Sequence, residues 1–160
     1  MSELKIHAFE HARFGHLELP DRALIHCDGL PGFPEARRLA LVDHDRPSWF
    51  AWLVCLELPE LAFAITDPLQ FYPDYAPKAH LSDLRAIMAK PEDDLDVLVI
   101  AKVNDEESFL NLAAPLLVNP KEKRAIQAIL ADGAWPLWAP LQPVGHQRRD
   151  PIQIESNPHR

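Results

Sequence analysis

A chain of 160 residues, 48% apolar and 25% charged, has the make-up of one globular domain large enough to bury its own core. Its formal charge of −8, from 24 acidic against 16 basic side chains, argues against nucleic acid as a direct ligand and suits a basic protein partner, since a phosphate-binding surface needs a basic patch. The N-terminus has no signal-peptide core, and the longest charge-free apolar run, Trp49 to Leu56, is far short of the ~20 residues a spanning helix needs; the chain reads as cytoplasmic, without membrane contact.

Sixteen prolines spread along the length predict short elements. First come "LKIHAF" and "GHLELP", the second with Leu17 and Leu19 on one face and His16 and Glu18 on the other. "RALIHC" reads as a strand with Ala23, Ile25 and Cys27 on one side, and "RRLALV" as the next strand. Between them "CDGLPGF" holds two of only five glycines. Asp28-Gly29 is a turn signal, and Leu30-Pro31-Gly32-Phe33 fits a type II turn with glycine at positive φ. "WFAWLVCLE" and "LAFAITD" follow, parted by Leu58-Pro59-Glu60. "DPLQFYPDYAP", Asp67 to Pro77, is a rigid non-regular segment, and "LSDLRAIMAK" predicts a short helix capped by Ser82 and stopped at Lys90-Pro91.

"LDVLVIAKV" is apolar on both faces from Val97 to Ala101, as a central strand requires. "SFLNL" and "PLLVN" are short strands, with Pro115 at the start of the second, where its missing N–H does least harm. In "PKEKRAIQAILADG", Ile126, Ile129 and Leu130 sit at helical spacing and Gly133 could follow a helix end, so propensity favours a helix. Apolar blocks recurring at roughly 8–12 residues predict a mainly β fold. The expected form is a small antiparallel β-barrel or sandwich-like single domain over 1–141 with one or two short helices. The stretch 142–160, poor in apolar residues, is expected to be a mobile tail.

No catalytic or cofactor chemistry emerges. The eight histidines lack metal-ligand spacing, and His44 sits between two aspartates in a loop. There is no G-x-S-x-G serine and no phosphate-binding glycine loop, and Cys27 and Cys55 read as reduced, buried thiols. Glu92-Asp93-Asp94 reads as a solvated turn. The expectation is a non-enzyme with no metal and no cofactor. Phe71, Tyr72 and Tyr75 in the aromatic segment form either a partner-contact surface or a loop laid over the core, and physics alone favours the loop. Asn111 and Asn119 bracket a strand, where asparagine beside proline usually marks a turn; Gln127 stands in an apolar stretch, where a buried amide needs partners.

The ordered series "GLPGF", "FAWLVCLELPELAFAITDP", "FYPDY" and "NLAAPLLVNP…RAIQAIL", from about Phe14 to Leu130, resembles the FliW flagellar assembly factor family. The resemblance implies a small, largely β, barrel-like cytoplasmic protein without catalytic activity. Such a protein binds flagellin and also CsrA, an RNA-binding translational repressor. Binding CsrA relieves repression of flagellin translation, and free flagellin competes for the factor. On the same ground Gly29, Pro31, Gly32, Phe33, Pro115 and Gln127 are structural signature residues, and Gln127 belongs to a strand, which overrules the helix. Asp74, Asn111 and Asn119 join Phe71, Tyr72 and Tyr75 as candidate partner-binding residues. Leu53-Val54-Cys55 stands where the family often has Leu-Gln-Ser, and "WPLWAPL" where a polar, arginine-containing strand is common. The competing reading is a small ligand-binding β-barrel or enzyme with the aromatic segment as a pocket wall. A deep closed cavity with converging polar groups would favour that reading; a filled core with an exposed apolar patch favours the regulator.

Overall fold

The computed structural model describes residues 5–43, 49–103, 107–130 and 133–141. The tail expected at 142–160 and the loop around His44 lie outside the described residues. Strands β1 (Ile6–His11) and β2 (Gly15–Pro20) form a hairpin in which Phe9 pairs with Leu17 and His7 with Leu19. Period-two alternation turns Phe9 and Leu19 onto Leu24, Ala40 and Val54 and leaves Glu10, His16 and Glu18 outside. The hairpin's end is anchored by His11, which is buried. Its Nδ1 accepts the N–H groups of Arg13 (3.0 Å) and Phe14 (3.4 Å), so Nε2 carries the proton and donates to the Leu61 carbonyl at 2.9 Å.

The strand predicted for "RALIHC" is shorter than its pattern. Asp21–Ala23 is a 3-10 turn closed by the Leu24 N–H on the Asp21 carbonyl, and only Ile25–His26 remain as β3. Leu24, not Ala23, therefore enters the core. β4 (Arg38–Val42), β5 (Ala51–Cys55), β6 (Ala62–Thr66) and β7 (Asp96–Val103) then pair in succession, antiparallel. β9 (Leu116–Asn119) pairs with the first half of β7, and β10 (Arg124–Gln127) with β9. β10 returns to β3, which closes the sheet into a barrel. That closing contact is parallel, through Arg124 and His26, with the His26 N–H on the Lys123 carbonyl at 2.8 Å. The barrel is thus antiparallel at every seam but one. Leu39, Leu53, Ile65, Leu98 and Leu116 fill its interior.

"RAIQ" forms a strand although helix propensity favours the alternative. All four β10 residues pair with β9, and Ala125 goes into the barrel core; burial and closure outweigh a propensity difference of a few tenths of a kcal/mol per residue. The one α-helix among the described residues, α1 (Leu81–Ala86), starts two residues earlier than expected. His80, not Ser82, is its N-cap, because Asp83 reaches back to the His80 N–H at 3.4 Å. It ends ahead of Lys90-Pro91 in a Schellman turn. Met88, at φ 59, gives its N–H to Arg85, and Ala89 gives its N–H to Leu84.

Candidate partner-binding site

β8 (Ser108–Leu110) and β9 follow one another along one edge of β7. Leu110 pairs with Ala101 and Leu116 with Leu98, so residues 111–115 must cover a gap of only two β7 residues and loop out. Side chains fix this loop. Asn111 Oδ1 accepts the N–H of Ala113 (3.1 Å) and Ala114 (3.0 Å), an Asx turn. Gln127 Nε2 donates to the Ala114 carbonyl at 3.0 Å, and the Ala128 N–H reaches the Pro115 carbonyl at 2.8 Å. Pro115 stands immediately before β9, as its missing N–H requires.

The aromatic segment lies over the loop's other side. Asp67 Oδ1 accepts the Leu69 N–H and starts a 3-10 turn, Pro68–Gln70. Burial pushes the Asp67 carboxyl up, with that N–H opposing. Phe71 packs against Trp49 and Phe50. Tyr72 donates its hydroxyl to the Pro140 carbonyl, tying the segment to β11 (Ala139–Pro140), which pairs with β8. Tyr75 is only 6% exposed; its hydroxyl donates to the Leu112 carbonyl at 2.7 Å and its ring meets Trp135 edge-on at 4.8 Å. Burial pushes the Tyr75 phenol well above its ordinary range.

Of the six candidate partner-binding side chains, then, only Asp74 is exposed. Phe71 and Tyr72 are half-buried in the strap, and Tyr75, Asn111 and Asn119 are buried. Asn119 sits apart from the loop. Its Nδ2 donates to the Ile87 (2.8 Å) and Met88 (3.3 Å) carbonyls, and its Oδ1 accepts the Lys121 N–H. Arg124 Nε bonds the Ala86 carbonyl at 3.2 Å, so the two residues together satisfy the end of α1.

The glycine corner is built as its sequence indicates. Leu30 and Phe33 exchange both backbone hydrogen bonds, at 3.0 and 2.7 Å, with Gly32 between them at φ 85. Gly29, at φ 106, is tighter: a Cβ there would lie 3.1 Å from the Pro34 carbonyl oxygen. Phe33 packs edge-on against Phe63 of β6 at 5.6 Å.

Beside this corner runs a groove of about 390 Å³ that no single stretch of sequence encodes. Pro31 and Phe33 come from the corner, Phe63 from β6, and Ala113 and Ala114 from the loop. Ile129, Leu137 and Trp138 come from the segment after β10. Those last three are 60%, 56% and 41% exposed, an apolar cluster open to solvent. Asn111 and Gln127 supply its only amide side chains, and Lys102 holds its ammonium 5.7 Å above the Trp138 ring. Sequence reasoning marked the floor of this groove but missed its rim. The available signal was "WPLWAPL" itself, where Leu137 and Trp138 stand between prolines.

Elsewhere among the described residues, polar and thiol groups are tied into the fold. A second depression of about 240 Å³ is lined by Asp67, Pro68, Tyr75 and Pro77, but Asp67 is engaged in capping and Tyr75 in the loop bond. Cys27 and Cys55 are buried free thiols, donating to the Ala36 carbonyl (3.3 Å) and to Glu57 Oε1 (3.1 Å). Burial pushes both thiols up, away from the reactive thiolate. Among the described residues no group of three or more His, Cys, Asp or Glu side chains could hold a metal ion, and no helix is long and apolar enough to cross a membrane.

Comparison with known proteins agrees with this architecture. The family model described as FliW protein matches residues 8–141. The flagellar assembly factor FliW 2 of Desulfotalea psychrophila is 30% identical over 143 residues, covering 88% of this chain and 95% of its own. The flagellar assembly factor FliW of Treponema denticola is 36% identical over 124 residues, covering 76% and 84%. A crystal structure of a flagellar assembly factor FliW matches with a TM-score of 0.77 over 86% of this chain and 98% of that one, at 24% identity, a likeness of fold. A mainly β barrel with one short helix, a glycine corner and a matching model over nearly all the described residues identify this chain as a member of the FliW family, whose named members are flagellar assembly factors.

Proposed function

We propose that the chain is a cytoplasmic, non-enzymatic partner-switching regulator. It binds CsrA, which frees flagellin translation from repression, and it binds and shelters flagellin, which competes for it. The observation that carries this reading is the exposed apolar groove on a filled barrel in a chain of the FliW family. A protein-docking surface needs such a patch; an enzyme needs a closed site with converging polar groups. The formal charge of −8 adds a second support, since an RNA-binding repressor must offer basic surface and opposite fields steer association.

The two contacts differ physically. Raising salt slows CsrA association much more than it speeds dissociation. Flagellin, held through buried apolar area, responds less. Linkage makes any exclusion reciprocal, so saturating one partner lowers the affinity for the other by the same factor. The test is association of each purified partner at low and high salt, repeated with the other saturating. Simultaneous, independent binding of both rejects the switch.

A further inference from the structure

The groove carries one polar feature that its apolar lining does not explain. Asn111 is 9% exposed, and the orientation of its amide is fixed, because two N–H donors, from Ala113 and Ala114, require the oxygen on their side. Its Nδ2 therefore faces away from them, and among the described residues it has no acceptor. Gln127 is the mirror case. Its Nε2 is spent on the Ala114 carbonyl, which fixes its amide too and leaves Oε1 without a donor among the described residues. The two amides grip the two ends of one residue, Ala114: its N–H by Asn111 and its carbonyl by Gln127. One spare donor and one spare acceptor thus remain on two side chains that line an apolar groove, where an unpaired amide is costly.

From this we infer that the groove takes an extended apolar segment of a partner protein, rather than a helix. The inference rests on the protein-binding reading above and specifies the form of the bound segment. An α-helix spends its interior N–H and C=O groups on its own i→i−4 bonds and would bury the Asn111 amide unpaired. An extended chain presents free carbonyl and N–H groups with side chains alternating to either side. A backbone carbonyl meets Asn111 Nδ2 and a nearby N–H meets Gln127 Oε1. Alternate apolar side chains lie against Phe33, Ile129 and Trp138, and an acidic residue beside the segment meets the Lys102 ammonium over the Trp138 ring.

The probe is an acetylated, amidated octapeptide alternating isoleucine and glutamine between terminal glutamates, with a hydrocarbon-stapled helical peptide of the same composition as control. Both are titrated into the full chain while the side-chain amide signals of Asn111 and Gln127 and the Trp138 indole are followed by NMR. The octapeptide should move all three, and the helical peptide should leave the Asn111 amide in place. Asn111→Asp keeps the oxygen that holds the loop but removes the donor, and should weaken the octapeptide about tenfold, the loss of one hydrogen bond. Ile129→Asp, at an exposed position, should weaken it as well and checks the groove should Asn111→Asp fail to fold. Equal or tighter binding of the helical peptide, or Asn111→Asp binding like the wild type, overturns the inference. So do shifts of the same signals with protein concentration alone, which make a second copy the occupant. Flagellin binding by a chain that ignores the octapeptide rejects this inference and leaves the proposed function standing. Octapeptide binding by a chain that takes neither flagellin nor CsrA does the reverse.

Discussion

Replacing Glu57 by glutamine tests whether one carboxylate holds the start of β4 to the end of β5. Its Oε1 accepts the N–H of Arg37 at 3.0 Å and of Arg38 at 2.9 Å, and its Oε2 takes Arg38 Nε at 2.7 Å. Burial alone would raise its pKa. The Arg38 guanidinium, the N–H groups of Arg38 and Arg37 and the Cys55 thiol reverse that and bring it from 4.5 down to about 2. Because the folded value is the depressed one, the unfolded chain takes up its proton first as the pH falls. The contribution is therefore complete above about 4.5 and is lost between there and about 2. The gap corresponds to at most about 3 kcal/mol. The Glu57 side chain is 23% exposed and that of Arg38 is 41% exposed, so solvent screening lowers the expectation to about 1–2 kcal/mol. Glutamine keeps an oxygen for the two N–H groups but has no charge, and it mimics the protonated acid. Urea unfolding followed by tryptophan fluorescence should show Glu57→Gln less stable by that amount at pH 7, with the two proteins converging as the pH approaches 2. A difference that stays constant from pH 7 to pH 2.5 would refute the reasoning and assign the effect to packing.

Gly32→Ala meets open space and should cost about 1–2 kcal/mol, the strain of its positive φ. Gly29→Ala adds contacts of 3.1 and 3.2 Å with the Pro34 backbone and should cost about 2–4 kcal/mol; thermal melts in the opposite order reject the account of the corner. Tyr75→Phe leaves the buried Leu112 carbonyl without its donor and should lower stability by about 1–2 kcal/mol, while affinity for the flagellin partner proposed above stays within about twofold; a large affinity loss at unchanged melting temperature puts the hydroxyl on the partner surface instead. Cys27 and Cys55 should react with iodoacetamide only as urea unfolds the chain, and fast labelling of either in the native state contradicts its burial.

The strands were legible because period-two alternation and proline punctuation report local facts: which face is wet and where the ladder must stop. The corner was legible for the same reason, since Pro31 and Gly32 each fix a backbone angle without help from elsewhere. Local rules failed where a distant element decided. β10 is a strand because β9 and β3 need a partner on their edges, which no property of "RAIQAIL" announces. Ser82 looked the better cap, but Asp83 lies three residues after His80 and selects it. At "RALIHC" the alternation holds at Ile25 and Cys27, which pack in the barrel core, and fails only at its start, where the 3-10 turn at Asp21 exposes Ala23 and buries Leu24 against the hairpin.

The same division separates two kinds of residue at the site. Tyr75, Gln127 and Asn119 each bond a backbone carbonyl from another segment, and Asn111 bonds two N–H groups of its own loop, so altering any of them strands a polar group and costs stability. Of these, Asn111 and Gln127 line the groove and hold its floor, while Tyr75 and Asn119 lie outside its lining. Ile129, Leu137 and Trp138 are exposed, and their side chains make no hydrogen bond among the described residues on which the barrel depends, so the chain can exchange them at little cost to folding. A surface assembled this way separates two demands. Its floor must stay as it is for the loop at 111–115 to stand, whereas its rim, Leu137 and Trp138 of "WPLWAPL" together with Ile129, is free to vary.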